Sequence, residues 1–149
     1  MKTKREIVDG VEVEVLEFED TVESVEKASR LSGEPPSSIV KTMVLKTGNR
    51  YIIALVRGDR RVDWGKARKM LGGYVELAKP TDVLSITGLE PGAVTPVSPT
   101  IKGFRVIADP LIMEKNYVLC GGGSIRRLYR VKTVDLVNYL KPEFIDIFK

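Results

Sequence analysis

Two apolar, β-branched-rich runs, Lys41 to Lys46 and Tyr51 to Val56, are separated only by Thr47-Gly48-Asn49-Arg50. A connection that short, with glycine and asparagine at its centre, joins antiparallel strands and leaves no room for a crossover helix. The chain is therefore expected to be built around a central antiparallel pair.

The flanking pattern adds strands and helices without a regular βαβ alternation. Val11, Val13 and Val15 alternate with Glu12 and Glu14, the period of a half-buried strand running to Phe18. Asp20 or Thr21 is a candidate cap for a helix bearing Val22, Val25, Ala28 and Leu31, which Gly33 ends. A second helix spans Val62 to Leu71, with Asp63 as cap and Gly72-Gly73 as stop, and a third runs from Thr81, its cap, to Thr87. Short strands are expected at 74–77, 104–108, 117–120 and 125–131, and a helix at 133–140. Pro91, Pro96 and Pro99 make the stretch from Glu90 to Gly103 read as loop, and Pro142 opens a last helix that sets Phe144, Ile145, Ile147 and Phe148 on the core. The expected fold is α+β: one domain over 1–149, with a mixed, mainly antiparallel or barrel-like sheet and flanking helices.

Composition removes several function classes. The 149 residues contain no histidine, so a Ser-His-Asp or Cys-His relay, a HExxH zinc site and a histidine general base are all excluded. Cys120 is the single cysteine, which rules out an intramolecular disulfide and a Cys-His zinc cluster. Neither a metal nor another cofactor is expected. No apolar run approaches the roughly 20 residues that cross a bilayer, and Met1-Lys2-Thr3-Lys4-Arg5 leads into Glu6 and Asp9 rather than a signal-peptide core. A cytoplasmic protein without a membrane partner is expected.

The net charge of +4 is unevenly placed. Glu12, Glu14, Glu17, Glu19, Asp20, Glu23 and Glu26 form an acidic stretch without a cation, whereas Arg57, Arg60, Arg61, Lys66, Arg68 and Lys69 form one basic cluster and Arg126, Arg127, Arg130 and Lys132 another. Such segregation fits a phosphate-facing side opposite a solvated one, and equally fits two solvated faces.

Three segments carry candidate chemistry. Lys41 opens a buried-looking strand, where its amine is either a solvated strand end or faces an anion in a cleft. Gly92-Ala93-Val94-Thr95-Pro96 combines close backbone approach with a fixed turn, and Cys120-Gly121-Gly122-Gly123-Ser124 ends a strand. The latter lacks the Gly-Lys-Ser/Thr ending of a P-loop. What remains for chemistry is backbone amides, one cation and the substrate's own groups. That set suits an ester already activated toward hydrolysis, such as an aminoacyl-tRNA, because each preorganised donor to a developing oxyanion is worth roughly 3 kcal/mol.

The Lys41-Thr42 strand opening, the Gly92-to-Pro96 turn, Asp109-Pro110 and the Gly-rich strand end, in that order, resemble the YbaK family, which is similar to the editing domain inserted in bacterial prolyl-tRNA synthetases. The resemblance runs from about Thr21 to Phe148 and implies an aminoacyl-tRNA deacylase that removes a small amino acid, of the cysteine or alanine type and possibly on tRNA-Pro. It implies Lys41 and Gly92 as catalytic residues, and Thr42, Ala93, Val94, Thr95, Pro96, Asp109, Gly121 and Gly122 as pocket residues, with Cys120 or Ser124 as the small residue bordering the pocket. Its partners would be the acylated acceptor end of tRNA, held by Arg126, Arg127 and Arg130, and an aminoacyl-tRNA synthetase. One departure concerns the aspartate that the bacterial cysteinyl-tRNA deacylases carry shortly after these glycines. Here that stretch is Arg127-Leu128-Tyr129-Arg130, so their substrate preference does not carry over. The alternative from a different class is a non-catalytic module that binds tRNA ends or a synthetase.

Overall fold

Strand β4 (Arg50–Arg57) accounts for the unbroken apolar run from Ile52 to Val56, because both its faces are covered. In the computed structural model, which describes residues 1–149, Ile53 and Leu55 enter one core while Ile52, Ala54 and Val56 enter another, so polar alternation has no place. Its partner β3 (Val40–Thr47) runs antiparallel to it from Val40↔Arg57 to Thr47↔Arg50, across a Gly48-Asn49 turn in which Gly48 takes φ +61°. Strand β5 (Glu76–Leu77) pairs with β3, while β6 (Arg105–Ala108) and β9 (Glu143–Phe144) add in parallel beyond β4. The order is β5-β3-β4-β6-β9.

A second, antiparallel sheet has the order β1-β2-β8-β7, from β1 (Lys2–Val8), β2 (Val11–Glu17), β8 (Arg127–Lys132) and β7 (Tyr117–Gly121). The two sheets meet where Ile39 bridges Leu119. Between them lies the largest core, built from Val11, Val13, Val15, Ile53, Leu55, Val118, Cys120 and Val131 and closed by helices α3 (Pro80–Thr87), α4 (Pro99–Lys102) and α5 (Thr133–Leu140) through Val83, Ile101 and Leu136. Helix α2 (Trp64–Leu71) covers the other face of the β3–β4 sheet through Ala67. Helix α1 (Val25–Ser32) covers part of the second sheet's outer face, packing Ala28 with Leu16, Ile39, Leu119 and Leu128. The α+β class with mixed, mainly antiparallel sheets agrees with the sequence reading. No helix is long and apolar enough to cross a membrane.

Several boundaries differ. Ser24, rather than Asp20 or Thr21, caps α1, its Oγ accepting from the Lys27 amide at 3.1 Å, because the Val22 amide is still bound to the Ile125 carbonyl at 2.6 Å, outside any helix. Helix α3 starts at Pro80 with no side-chain cap, instead of being capped by Thr81. The proline-rich stretch is not featureless: it holds a 3-10 turn, Pro91–Ala93, and α4. The helix expected after Pro142 is absent. Instead β9 leads into an extended tail whose backbone exchanges bonds with the 61–63 segment, Arg61 N to Lys149 O at 3.0 Å and Asp63 N to Ile147 O at 2.8 Å. Ile147 and Phe148 still reach the core, but Phe144 stays exposed.

Arg60 locks this tail down. It donates to Asp109 Oδ1 at 2.6 Å, to Asp146 Oδ1 at 3.2 Å and to the Phe148 carbonyl at 3.1 Å. Lys66 donates to the same carbonyl at 2.9 Å, so two members of the first basic cluster serve the fold.

Candidate functional site

The junction of the two sheets leaves a cleft of about 50 Å³, bounded by the segment leading into α1, the start of β3, the 91–94 turn and the end of β7. That is room for only a few water molecules, or for a small side chain, since one water needs roughly 10–15 Å³ on this measure. Val22, Val25, Ala28, Ile39, Val40, Val94 and Leu128 make its walls largely apolar. The polar groups on it are Glu23, Ser24, Lys41, Thr42 and Cys120.

Two glycines bring the walls this close. A Cβ on Gly121 would lie 2.0 Å from the Val94 carbonyl oxygen, and one on Gly92 would lie 2.4 Å from Glu23 Cβ. The 91–94 turn is thus pressed between the end of β7 and the entry to α1, and Gly123 ties it in place by donating to the Ala93 carbonyl at 3.1 Å. Gly121→Ala should cost about 1–3 kcal/mol of stability, as overpacking against an atom that cannot yield, and should lower the rate as the turn is displaced. Denaturant unfolding and a deacylation assay on one preparation measure both effects.

Amide accounting separates the two glycine-bearing turns. Gly122 donates to Arg127 O at 3.2 Å and Gly123 to Ala93 O at 3.1 Å, so both are spent within the protein. Ala93 donates to Glu90 O at 2.9 Å, whereas the amides of Gly92 and Val94, both on cleft-lining residues, meet no backbone acceptor. Thr42 Oγ1 is buried on the cleft with no partner at all. Lys41 is exposed at the rim and forms no ion pair with Glu23, which pairs with Lys27 at 3.0 Å.

Of the residues expected at a site, Lys41, Thr42, Gly92, Val94, Cys120 and Gly121 border this cleft. Ala93, Thr95, Pro96, Gly122 and Ser124 do not. Ala93 and Pro96 are buried behind the turn, and Thr95 Oγ1 accepts from the Val97 amide at 3.2 Å. Gly122 packs on the Arg127 backbone, and Ser124 Oγ accepts from the Arg126 amide at 3.2 Å. Between Cys120 and Ser124, it is Cys120 that reaches the cleft, with its thiol donating to the Tyr129 carbonyl at 3.7 Å. Complete burial pushes that thiol up to about 12.

Asp109 lies elsewhere. It is fully buried, pairs with Arg60 and caps the turn Pro110–Glu114 through the Leu111 amide at 3.0 Å. The arginines expected to face tRNA are also largely engaged. Arg126 donates to the Glu19 carbonyl, and Arg130 bridges Glu14 at 2.6 Å and Glu34 at 3.2 Å, which leaves Arg127. Glu23 also lines the cleft, although in the sequence it reads only as one carboxylate of the acidic stretch, three residues after the candidate cap Asp20.

Residues 19–139 match the aminoacyl-tRNA editing domain. The proline–tRNA ligase of Caldicellulosiruptor bescii is 31% identical over 132 residues, covering 87% of this chain and 22% of the ligase. That of Fervidobacterium nodosum is 34% identical over 119 residues, covering 77% and 20%. The chain therefore spans only about a fifth of the length of these curated relatives. A crystal structure of a candidate trans-editing enzyme for prolyl-tRNA synthetase superposes with a TM-score of 0.82 at 26% identity, over 92% of this chain and 87% of that one. Another solved structure, at 24% identity and the same TM-score of 0.82, supports the fold alone. With the family match extending over both glycine-bearing turns and the strand that Lys41 opens, the chain belongs to the aminoacyl-tRNA editing domain family.

Proposed function

We propose that residues 1–149 act as a single editing domain that hydrolyses the ester of a mischarged tRNA carrying a small amino acid, of the alanine or cysteine type, with prolyl-tRNA synthetase activity as its context. The observation that carries this is the cleft itself: about 50 Å³, apolar, with unpaired Gly92 and Val94 amides on one wall and a free cation at the rim. Water attacks the ester carbonyl carbon, and the charge that develops on the carbonyl oxygen is received by those two amides. The carbon–oxygen bond to the ribose then breaks, the leaving ribose oxygen takes a proton, and free amino acid and tRNA result. Lys41 holds the carbonyl or a neighbouring phosphate.

The reaction in this reading proceeds without a metal or another cofactor. Neither histidine nor a group of three or more ligand side chains is available to hold a metal ion. Thiolate catalysis is disfavoured because a thiol held near 12 is almost wholly protonated at neutral pH. Cys120→Ser, which can keep a bond to the Tyr129 carbonyl, should therefore turn over within several-fold of wild type, and no thioester should accumulate on trapping.

The deciding experiment is a deacylation screen on tRNA-Pro and on cognate tRNAs bearing alanine, cysteine, serine or proline, with and without EDTA and with magnesium restored to keep the tRNA folded. Hydrolysis of a small aminoacyl ester that survives EDTA is expected. Binding of the tRNA in a gel with every ester left intact would instead make the chain a non-catalytic module.

A further inference from the structure

The cleft presents a carboxylate as well as a cation, and the two do not meet. Glu23 is the only acidic residue on its walls, and it pairs with Lys27 outside rather than with Lys41 across the gap. The root of its side chain is held firmly, because Glu23 Cβ occupies the space that a side chain on Gly92 would need. Glu23 is thus in contact with the same turn that offers the free Gly92 and Val94 amides.

An aminoacyl ester carries a positive charge two bonds from its carbonyl carbon. If the carbonyl oxygen rests on the 92–94 amides, the α-ammonium must lie beside that turn. Placed there, it meets Glu23, the one carboxylate on the cleft walls. Resting on the deacylase reading above, we infer that Glu23 receives the free α-ammonium of the substrate and so restricts hydrolysis to tRNA whose amino acid is not blocked at nitrogen. Lys27 takes only one carboxylate oxygen, Oε1, at 3.0 Å. The neighbouring Thr21 hydroxyl, the residue's own backbone amide and Lys27 hold the carboxyl down at about 2, so it is ionised at neutral pH. Separated negative and positive groups across one cleft complement an ester that bears an ammonium on one side and a ribose phosphate on the other. The deacylated tRNA end has lost the ammonium, so this contact also favours release of product over substrate. N-acylated and peptidyl esters bring a neutral amide to the carboxylate in place of the ammonium, and so lose the charge–charge contact.

The test compares alanyl-tRNA with N-acetyl-alanyl-tRNA, or the corresponding cysteinyl pair if cysteine is the better ester, for wild type and Glu23→Gln. The wild type should prefer the free amine by about 10- to 100-fold in kcat/KM, the range of one hydrogen bond to a charged group. In Glu23→Gln, which keeps the Cβ contact with Gly92, the two esters should come within a few-fold of each other through a loss on the free-amine ester. A preference retained in the variant, or a parallel fall on both esters, overturns the inference. If the wild type hydrolyses neither ester in any pair, the deacylase reading fails and takes the inference with it.

Discussion

Lys41→Ala should lose about 100- to 1000-fold in the rate of ester hydrolysis, the range seen when one donor to a developing oxyanion is removed, while its circular dichroism and unfolding midpoint stay near wild type. Both halves follow from its position. Lys41 is exposed at the cleft rim and pairs with no carboxylate, so the fold has little to lose with it. Substrate charge has no other unpaired cation on the cleft walls. Arginine at the position is an informative second variant: it keeps the charge but carries a planar head too broad for a site of about 50 Å³. Wild-type turnover in Lys41→Ala would remove this residue from the chemistry and return it to the role of a solvated strand end.

Asp109→Ala should show the opposite signature, a loss of about 3 kcal/mol in stability with the rate per folded molecule unchanged. Removing this fully buried carboxylate deprives Arg60 of its 2.6 Å partner and leaves the Leu111 amide without a cap. Arg60 keeps Asp146 and the Phe148 carbonyl, which places the effect at the lower end for a broken buried pair. Denaturant midpoints and single-turnover rates below the transition separate the two quantities. A drop in rate without a drop in midpoint would put Asp109 back beside the substrate, where the family resemblance had it.

Much of the fold was legible because it is written in local chemistry. The β3–β4 hairpin shows in its two apolar runs and Gly48-Asn49 turn, and α2 in its Asp63 cap and Gly72 stop, where Gly72 adopts φ +76°. Strand β1 is not among the strands expected from the sequence, although the turn that follows it carries a signal. Asp9 and Gly10, at φ +46° and +81°, form the two-residue turn of a hairpin, but Lys2 to Ile7 is exposed and only Val8 packs against the core, so no apolar alternation marks a strand. The tail misled for the opposite reason. Its apolar residues suit either period, and only pairing with β6 and the 61–63 segment made it extended.

By itself, the sequence determined the chemical vocabulary of the site: no imidazole, one thiol, two glycine-bearing turns and a lysine at a strand mouth. These follow from residue identity and need no neighbour. Which of these groups remain free for a substrate was decided only by tertiary structure, because a polar group's availability depends on whether another part of the chain has already paired with it. Arg130 is bound by Glu14, 116 positions away, and Asp109 by Arg60, 49 positions away. The Gly122 and Gly123 amides are spent on carbonyls while those of Gly92 and Val94 are not. Glu23 reaches the cleft because the turn carrying Gly92 closes against the entry to α1, a contact between segments that no local pattern encodes.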